Sequence, residues 1–168
     1  EWQGIFQAIG HPTIILDPHH RIIAANRAAI GATRMSEQDL TGKSCYEVFH
    51  GTDRPLQDCP MEKMLISGRL ETVEMEMETI GGIFLVSCTP VLDDAGHLEK
   101  VIHIATDVTE RKKAEGALQE SEVKYRELAE SITDVFFAFD KNLRYTYWNK
   151  ASEKLTGVSA EDAIGKST

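Results

Sequence analysis

The amino-acid sequence predicts an α+β fold: a five-stranded antiparallel sheet with helices on one face, then a linker helix and a truncated second module of the same kind. Three observations support this prediction. Strand-like segments flank a central group of helix-like segments, in the order β-β-helices-β-β-β. Acidic and apolar residues alternate strictly over residues 71–78, as in a strand with one solvated face. The start of the chain also recurs 123 residues further along.

This internal repeat aligns residues 1–45 with residues 124–168 without a gap, and 11 of the 45 pairs are identical. The identities fall mainly at turn and cap positions, for example Asp17 with Asp140, Asn26 with Asn149, and Gly42 with Gly165. The second copy stops where the first has reached only Cys45. We therefore expect a complete module over 1–109, a linker helix over 110–131, and the N-terminal part of a second, incomplete module over 132–168.

The first half of the module reads as a hairpin followed by short helices. Two β-branched or apolar runs, 13–16 and 21–25, are separated by a turn-like segment that contains Pro18. Asn26 is suited to cap a helix that follows the hairpin. Ser36, with an acidic residue three positions later, is suited to cap another short helix.

The second half reads as one helix and a three-stranded meander. A helix is predicted over 58–66, with Pro60 in its first turn and Gly68 beyond its end. Strands are predicted over 71–78, 83–88 and 97–108, separated by glycine-containing turns. Helices on one face of such a sheet leave a hollow in which a small ligand can bind.

The composition excludes several classes of function. The chain has 27 acidic and 18 basic residues and a net charge of −9, which argues against binding to nucleic acid. No apolar run approaches the roughly 20 residues that a membrane span needs, so we expect no membrane contact in this part of the protein. We expect a cytoplasmic location for it and leave a membrane anchor elsewhere in the parent protein open. Three cysteines fit a reducing compartment better than a disulfide scaffold. No catalytic motif is present, so we do not expect this chain to be an enzyme.

The linker segment carries apolar residues at heptad spacing. The predicted seam consists of Ala114, Leu118, Tyr125, Leu128 and Ile132. Such a seam favours a parallel coiled coil that joins two chains as a homodimer. The alternative is an amphipathic helix packed on its own module.

Several motifs together resemble the PAS domain, the PAS/PAC sensory box of bacterial and archaeal signalling proteins. They are the segment 9–17 that ends in Leu-Asp, Asn26 nine residues later, the Gly42-Lys43 turn, and the closing Asp107-Val108-Thr109-Glu110-Arg111-Lys112. The resemblance implies a sensory and signal-relay module of a multidomain protein, most often a sensor histidine kinase. We expect Asp107 and Thr109 to fix the junction between the last strand and the linker helix.

The hollow is the expected ligand site. Its predicted lining residues are Phe49, Met61, Met64, Leu65, Phe84, Val86, Cys88 and His103. The same large side chains can fill the hollow themselves. The alternative function is therefore a dimerisation and interaction module without a ligand.

Cys45, His50 and Cys59 form the most unusual local segment. Their spacing, C-x4-H-x8-C, matches no standard zinc site. Three interpretations remain open: packed thiols, a redox pair that forms a disulfide, or a metal or haem contact. In haem-binding relatives the ligand histidine lies on the helix before the third strand, and here that helix has none. The Asn-Cys-Arg motif of flavin photoreceptors is also absent, so we expect no flavin–cysteine adduct; the cofactor stays unassigned.

Overall fold

The computed structural model describes residues 2–167, which form two compact units that divide between Lys112 and Lys113. Within the described part of the chain, no helix combines the length and the apolar character that a membrane crossing requires.

The first unit is built around a five-stranded antiparallel sheet of order β2-β1-β5-β4-β3. Its elements are α1 (Trp2–Ala8), β1 (Thr13–Leu16), β2 (Ile22–Ala25), α2 (Arg27–Thr33), α3 (Glu37–Leu40), α4 (Cys45–His50), α5 (Pro60–Ser67), β3 (Glu71–Glu76), β4 (Ile83–Leu92) and β5 (Leu98–Asp107). Helices separate the N-terminal hairpin from the C-terminal meander, and this confirms the predicted fold class. The core lies between the helices and one face of the sheet, with Leu16, Phe49, Met61 and Val86 almost fully buried.

Buried polar contacts hold the start of α2 in place. The side-chain oxygen of Asn26 accepts hydrogen bonds from the backbone N–H groups of Ala29 and Thr13, at 2.9 and 3.0 Å. Its amide group donates to the carbonyls of Ile9 and His11. The prediction of Asn26 as a helix cap is confirmed, and its four bonds also fix the chain that enters β1.

The predicted strand over 71–78 is two residues too long. β3 ends at Glu76, because the chain turns into the core at Met77, whose side chain is fully buried. The Met77 N–H donates to the Gly82 carbonyl, and the Gly81 N–H donates to the Met77 carbonyl. Burial of Met77 and this tight turn outweigh the alternating pattern that continues to residue 78.

A long helix, α6 (Thr109–Ser131), begins in the first unit and none of its residues is buried. The second unit then repeats the first elements of the module: β6 (Phe137–Phe139), β7 (Tyr145–Trp148), α7 (Lys150–Thr156) and α8 (Ala160–Ala163). Asn149 accepts bonds from Ser152 and Phe136, just as Asn26 does from Ala29 and Thr13. The sequence repeat is therefore a structural repeat.

Candidate functional site

A small cavity lies between the helices and the sheet of the first unit. It is lined by Cys45, Tyr46, Phe49, His50, Leu56, Cys59, Pro60, Met61, Met75 and His103. Its free volume is about 10 Å³, which is room for about one water, whereas ligand pockets usually measure roughly 300–1,000 Å³. The predicted hollow therefore exists, but side chains fill it in this conformation.

The structure brings only part of the predicted lining together. Phe49, Met61 and His103 line the cavity. The other buried members belong to the surrounding core, namely Met64, Phe84, Val86 and Cys88. The prediction that Leu65 lines the hollow is wrong. Its side chain is 39% exposed, because it lies on the solvent side of the last turn of α5.

An uncharged histidine forms one wall of the cavity. The His103 ring stacks on Phe49, with ring centroids 5.8 Å apart and an angle of 18° between the planes. Burial, together with the nearby His50, lowers the pKa of His103 to about 4. Burial also lowers the pKa of His50. His103 is therefore neutral at physiological pH.

The thiols of this region are protonated at neutral pH. Burial raises the pKa of Cys45 to about 12, and the neighbouring Cys59 adds to the shift. Burial also raises the pKa of the Cys59 and Cys88 thiols. Cys45, His50 and Cys59 line the same cavity. Between residues 2 and 167, however, no group of three or more Cys, His, Asp or Glu side chains is arranged to hold a metal ion.

The family resemblance raises the question of a haem or flavin, and the cavity residues do not fit either group. A free volume of about 10 Å³ admits neither ring system without large movements of α4 and α5. Two histidines, His50 and His103, line the cavity, and the ring of His103 is stacked on Phe49.

The sequence did not predict the contacts that His20 makes in the first unit. His20, in the turn between β1 and β2, places Nε2 2.6 Å from Glu62 Oε1 on α5. Its Nδ1 lies 3.6 Å from the Sγ atom of Cys45 on α4. These residues are 25 and 42 positions apart in the chain, so no short motif could reveal them. One signal was available, because the repeat has Leu143 where the first copy has His20.

The junction between β5 and α6 is tied to the neighbouring strand. Asp107 Oδ1 accepts a hydrogen bond from the Thr109 N–H at 2.9 Å. Thr109 Oγ1 accepts another from the Ile83 N–H at 2.9 Å, and the Val108 N–H donates to the Ile83 carbonyl. Both predicted junction residues thus make hydrogen bonds at the junction, and their role in signalling stays a prediction.

A second set of contacts ties α6 to the edge strand β3. Glu74 accepts a hydrogen bond from Arg111 at 3.2 Å and forms an ion pair with Lys112 at 2.6 Å. Lys112, and to a lesser extent Arg111, lower the pKa of the Glu74 carboxyl group. The first turn of α6 is therefore held by the same strand that lines the cavity through Met75.

The first unit thus combines an antiparallel sheet, a small internal cavity and a helix bonded to strands β3 and β4. The chain belongs to the PAS fold family: two family models, each described as PAS fold, match residues 6–113 and residues 124–168. The second match covers the second copy of the sequence repeat.

Two relatives of the chain are much longer proteins. The uncharacterised protein y4lL of Sinorhizobium fredii is 29% identical over 170 residues, which cover 98% of this chain and 20% of that protein. Phytochrome B1 of Solanum lycopersicum is 25% identical over 167 residues, which cover 92% of this chain and 15% of that protein. The chain thus spans a fifth or less of the length of these two relatives.

Solved structures agree on the fold. An RNA-binding light-oxygen-voltage receptor matches with a TM-score of 0.60 and 17% identity, covering 73% of this chain and 36% of that one. The PAS domain of a Colwellia psychrerythraea protein matches with a TM-score of 0.56 and 16% identity, covering 64% of this chain and 93% of that one. At this level of identity the likeness shows the fold alone.

Proposed function

We propose that this chain is the sensory and signal-relay region of a multidomain sensor histidine kinase. In this proposal residues 1–109 form the sensing module, residues 110–131 the linker helix that carries the signal, and residues 132–168 the start of a second module. The observation that carries the proposal is the double attachment of α6, through Thr109 to β4 and through Arg111 and Lys112 to β3.

The relay runs along the edge strand β3. Met75 lines the cavity, whereas its neighbour Glu74 faces the other side of the strand and binds the first turn of α6. A strand moves as one unit, so a change in packing around Met75 displaces Glu74 as well. Such a displacement biases α6 between two arrangements, which is the form that long-range coupling takes in signalling modules.

The signal at the cavity is either a small ligand that opens it or a change in packing without a ligand. The free volume of about 10 Å³ supports the second option for this conformation. Absorption and mass spectra of the purified protein separate the two. A co-purifying small molecule would support ligand sensing, and a clean spectrum of the bare chain would support a relay module with a filled core.

A thiol redox switch is the second candidate function. It is supported by the position of Cys45 and Cys59 on the wall of the same small cavity. Oxidation to a disulfide would lower the intact mass by two hydrogen atoms and pull α4 towards the start of α5. Equal alkylation of both thiols before and after treatment with oxidant would contradict this function.

The linker helix is the proposed homodimer contact. Its seam residues Leu118, Tyr125 and Leu128 are 63%, 71% and 55% exposed, and this supports a coiled coil over packing on the same module. Sedimentation equilibrium tests the contact with Leu128→Asp, which should shift the chain to monomer. Val123→Asp, at an exposed position outside the seam, is the matched control; an equal effect of both changes would contradict the proposal.

The relay itself is tested in the full-length protein. Asp107→Ala should uncouple autophosphorylation from the stimulus while the circular dichroism spectrum stays unchanged, because the bond to the Thr109 N–H is lost while the backbone bond from Val108 to Ile83 remains. Unchanged coupling would contradict the relay. One relative is named a probable diguanylate cyclase, so production of cyclic diguanylate from GTP in place of phosphotransfer from ATP would contradict the kinase assignment.

A further inference from the structure

Three side chains from distant parts of the first unit form a continuous contact chain beside the cavity. The Glu62 carboxylate accepts a hydrogen bond from His20 Nε2 at 2.6 Å. That bond leaves Nδ1 free to act as an acceptor, and the Sγ atom of Cys45 lies 3.6 Å from it. His20 and Cys45 are only 6% and 7% exposed. Backbone also links the pair, since the Cys45 N–H donates to the His20 carbonyl at 2.9 Å.

The repeat shows that the fold does not require this histidine. His20 adopts a left-handed conformation, with φ of 67°, and its counterpart Leu143 adopts the same conformation, with φ of 57°. The flanking contacts are also conserved between the copies: Arg21 donates to the Gly42 carbonyl and Arg144 to the Gly165 carbonyl. The turn therefore forms equally well with leucine, and the imidazole of His20 serves something other than the turn.

A thiol, an imidazole and a carboxylate in this order have a defined chemistry. The imidazole takes the thiol proton, and the carboxylate on its other nitrogen orients the ring and stabilises the positive charge that results. Because burial raises the pKa of Cys45 to about 12, its proton leaves readily only to a base already in contact with it. His20 is in that position.

The cavity supplies a second thiol and limits the size of the reagent. Cys59 lines the same cavity as Cys45 and is partly exposed. In the described residues, neither Cys59 nor Cys88 has a histidine within hydrogen-bonding distance of its sulfur. Cys45 is therefore the thiol that is set up to react first. A free volume of about 10 Å³ favours the smallest oxidants.

We propose that Cys45 is a site of oxidation by hydrogen peroxide, with His20 as its base, Glu62 as the group that holds His20, and Cys59 as the resolving thiol. This proposal rests on the thiol redox switch proposed for Cys45 and Cys59. It adds the oxidant, the base and the order in which the two thiols react.

The reaction balances in two steps. In the first, the proton of Cys45 moves to His20, the thiolate attacks one peroxide oxygen, the O–O bond breaks, and the departing hydroxide takes the proton from His20 to leave as water. Cys45 is then a sulfenic acid, and the peroxide has been reduced. In the second, the sulfur of Cys59 attacks that of Cys45, an S–S bond forms, and the sulfenic hydroxyl leaves with the Cys59 proton as a second water.

The experiment follows Cys45 oxidation by hydrogen peroxide with peptide mass spectrometry, in the whole chain and as a function of pH. His20→Leu keeps the side chain that the repeat tolerates and should slow the reaction roughly a hundredfold at pH 7, the usual contribution of a general base. Its rate should then rise about tenfold per pH unit, because hydroxide must remove the thiol proton. Glu62→Gln should give a smaller loss. His97→Leu, whose side chain is 82% exposed, is the matched control and should have no effect.

The outcomes separate the two proposals. No disulfide in the unaltered chain would overturn both this inference and the thiol switch. A disulfide that forms at the same rate and with the same pH profile in His20→Leu would overturn this inference and leave the thiol switch standing. A slower, steeply pH-dependent reaction in His20→Leu alone, with an unchanged circular dichroism spectrum, would support the inference. Cumene hydroperoxide should react more slowly than hydrogen peroxide; an equal rate would contradict the role of the cavity in selecting the oxidant.

Discussion

Replacement of Gly82 by alanine should break the attachment of α6 to the sheet. Gly82 has a φ of +133°, and a Cβ atom there would lie 2.6 Å from Thr109 Oγ1. The Thr109 side chain must then move and release the Ile83 N–H. An unsatisfied donor costs about 1–3 kcal/mol, and the backbone strain adds about 1–3 kcal/mol. We expect Gly82→Ala to lower the free energy of unfolding of the first unit by roughly 2–6 kcal/mol.

The control is Gly96→Ala, where φ is +85° and no atom lies within 4 Å of the new Cβ. This change introduces backbone strain but brings the new Cβ atom into contact with no other atom. Urea-dependent hydrogen exchange of β4 and β5 measures the free energy of unfolding of the first unit separately from the second. In a Thr109→Ala background the part of the Gly82→Ala cost that comes from the Thr109 contact should disappear, and only the cost of backbone strain should remain. An equal cost at positions 82 and 96, or no coupling to Thr109, would refute this account of the junction.

Three further predictions concern the cavity and the relay. Met61→Ala should destabilise the first unit by about 2–5 kcal/mol, since Met61 is buried. Leu65→Ala, at an exposed position, should destabilise it much less. Hydrogen exchange measures both free energies of unfolding. Unfolded His103 binds a proton below about pH 6.5, while folded His103, with its pKa lowered to about 4, does not. The free energy of unfolding should therefore fall by up to about 3 kcal/mol as the pH drops from 6.5 to 4. An equal fall over the same pH range in a His103→Leu variant would contradict the assignment of this loss to His103. Glu74→Gln should speed amide exchange in the first turn of α6 and leave β1 unchanged; equal protection in both proteins would show that the ion pairs do not hold the helix.

The sequence predicted those features that depend on neighbouring residues. Asn26 and Ser36 were recognisable as helix caps, because a cap side chain bonds to a backbone group three positions away. Asn149 followed from the repeat. The two glycines at 81 and 82 marked a turn, as the meander confirms. The strand order could be described only coarsely, as an antiparallel sheet with helices on one face.

Features that depend on packing between distant segments were not predictable. The contact chain of Glu62, His20 and Cys45 joins three elements whose order in space is set by the whole fold. The volume of the cavity depends on how side chains such as Met61 and Met75 fill it. Helical spacing placed Leu65 with Met61 and Met64 on the apolar face of α5, but in the structure Met64 is buried and Leu65 is 39% exposed, so Leu65 lies at the edge of that face.

The central claim is that a change at the cavity reaches α6 through β3 and the junction. NMR amide chemical shifts of residues 109–116 test it most directly, because they report on the native structure and not on its stability. We expect Met61→Ala, which enlarges the cavity, to shift the amides of β3 and of the first two turns of α6. Leu40→Ala, which removes an equally buried side chain outside the cavity lining, should leave those helix amides unchanged. Shifts from Met61→Ala that stop at α5 would contradict the account.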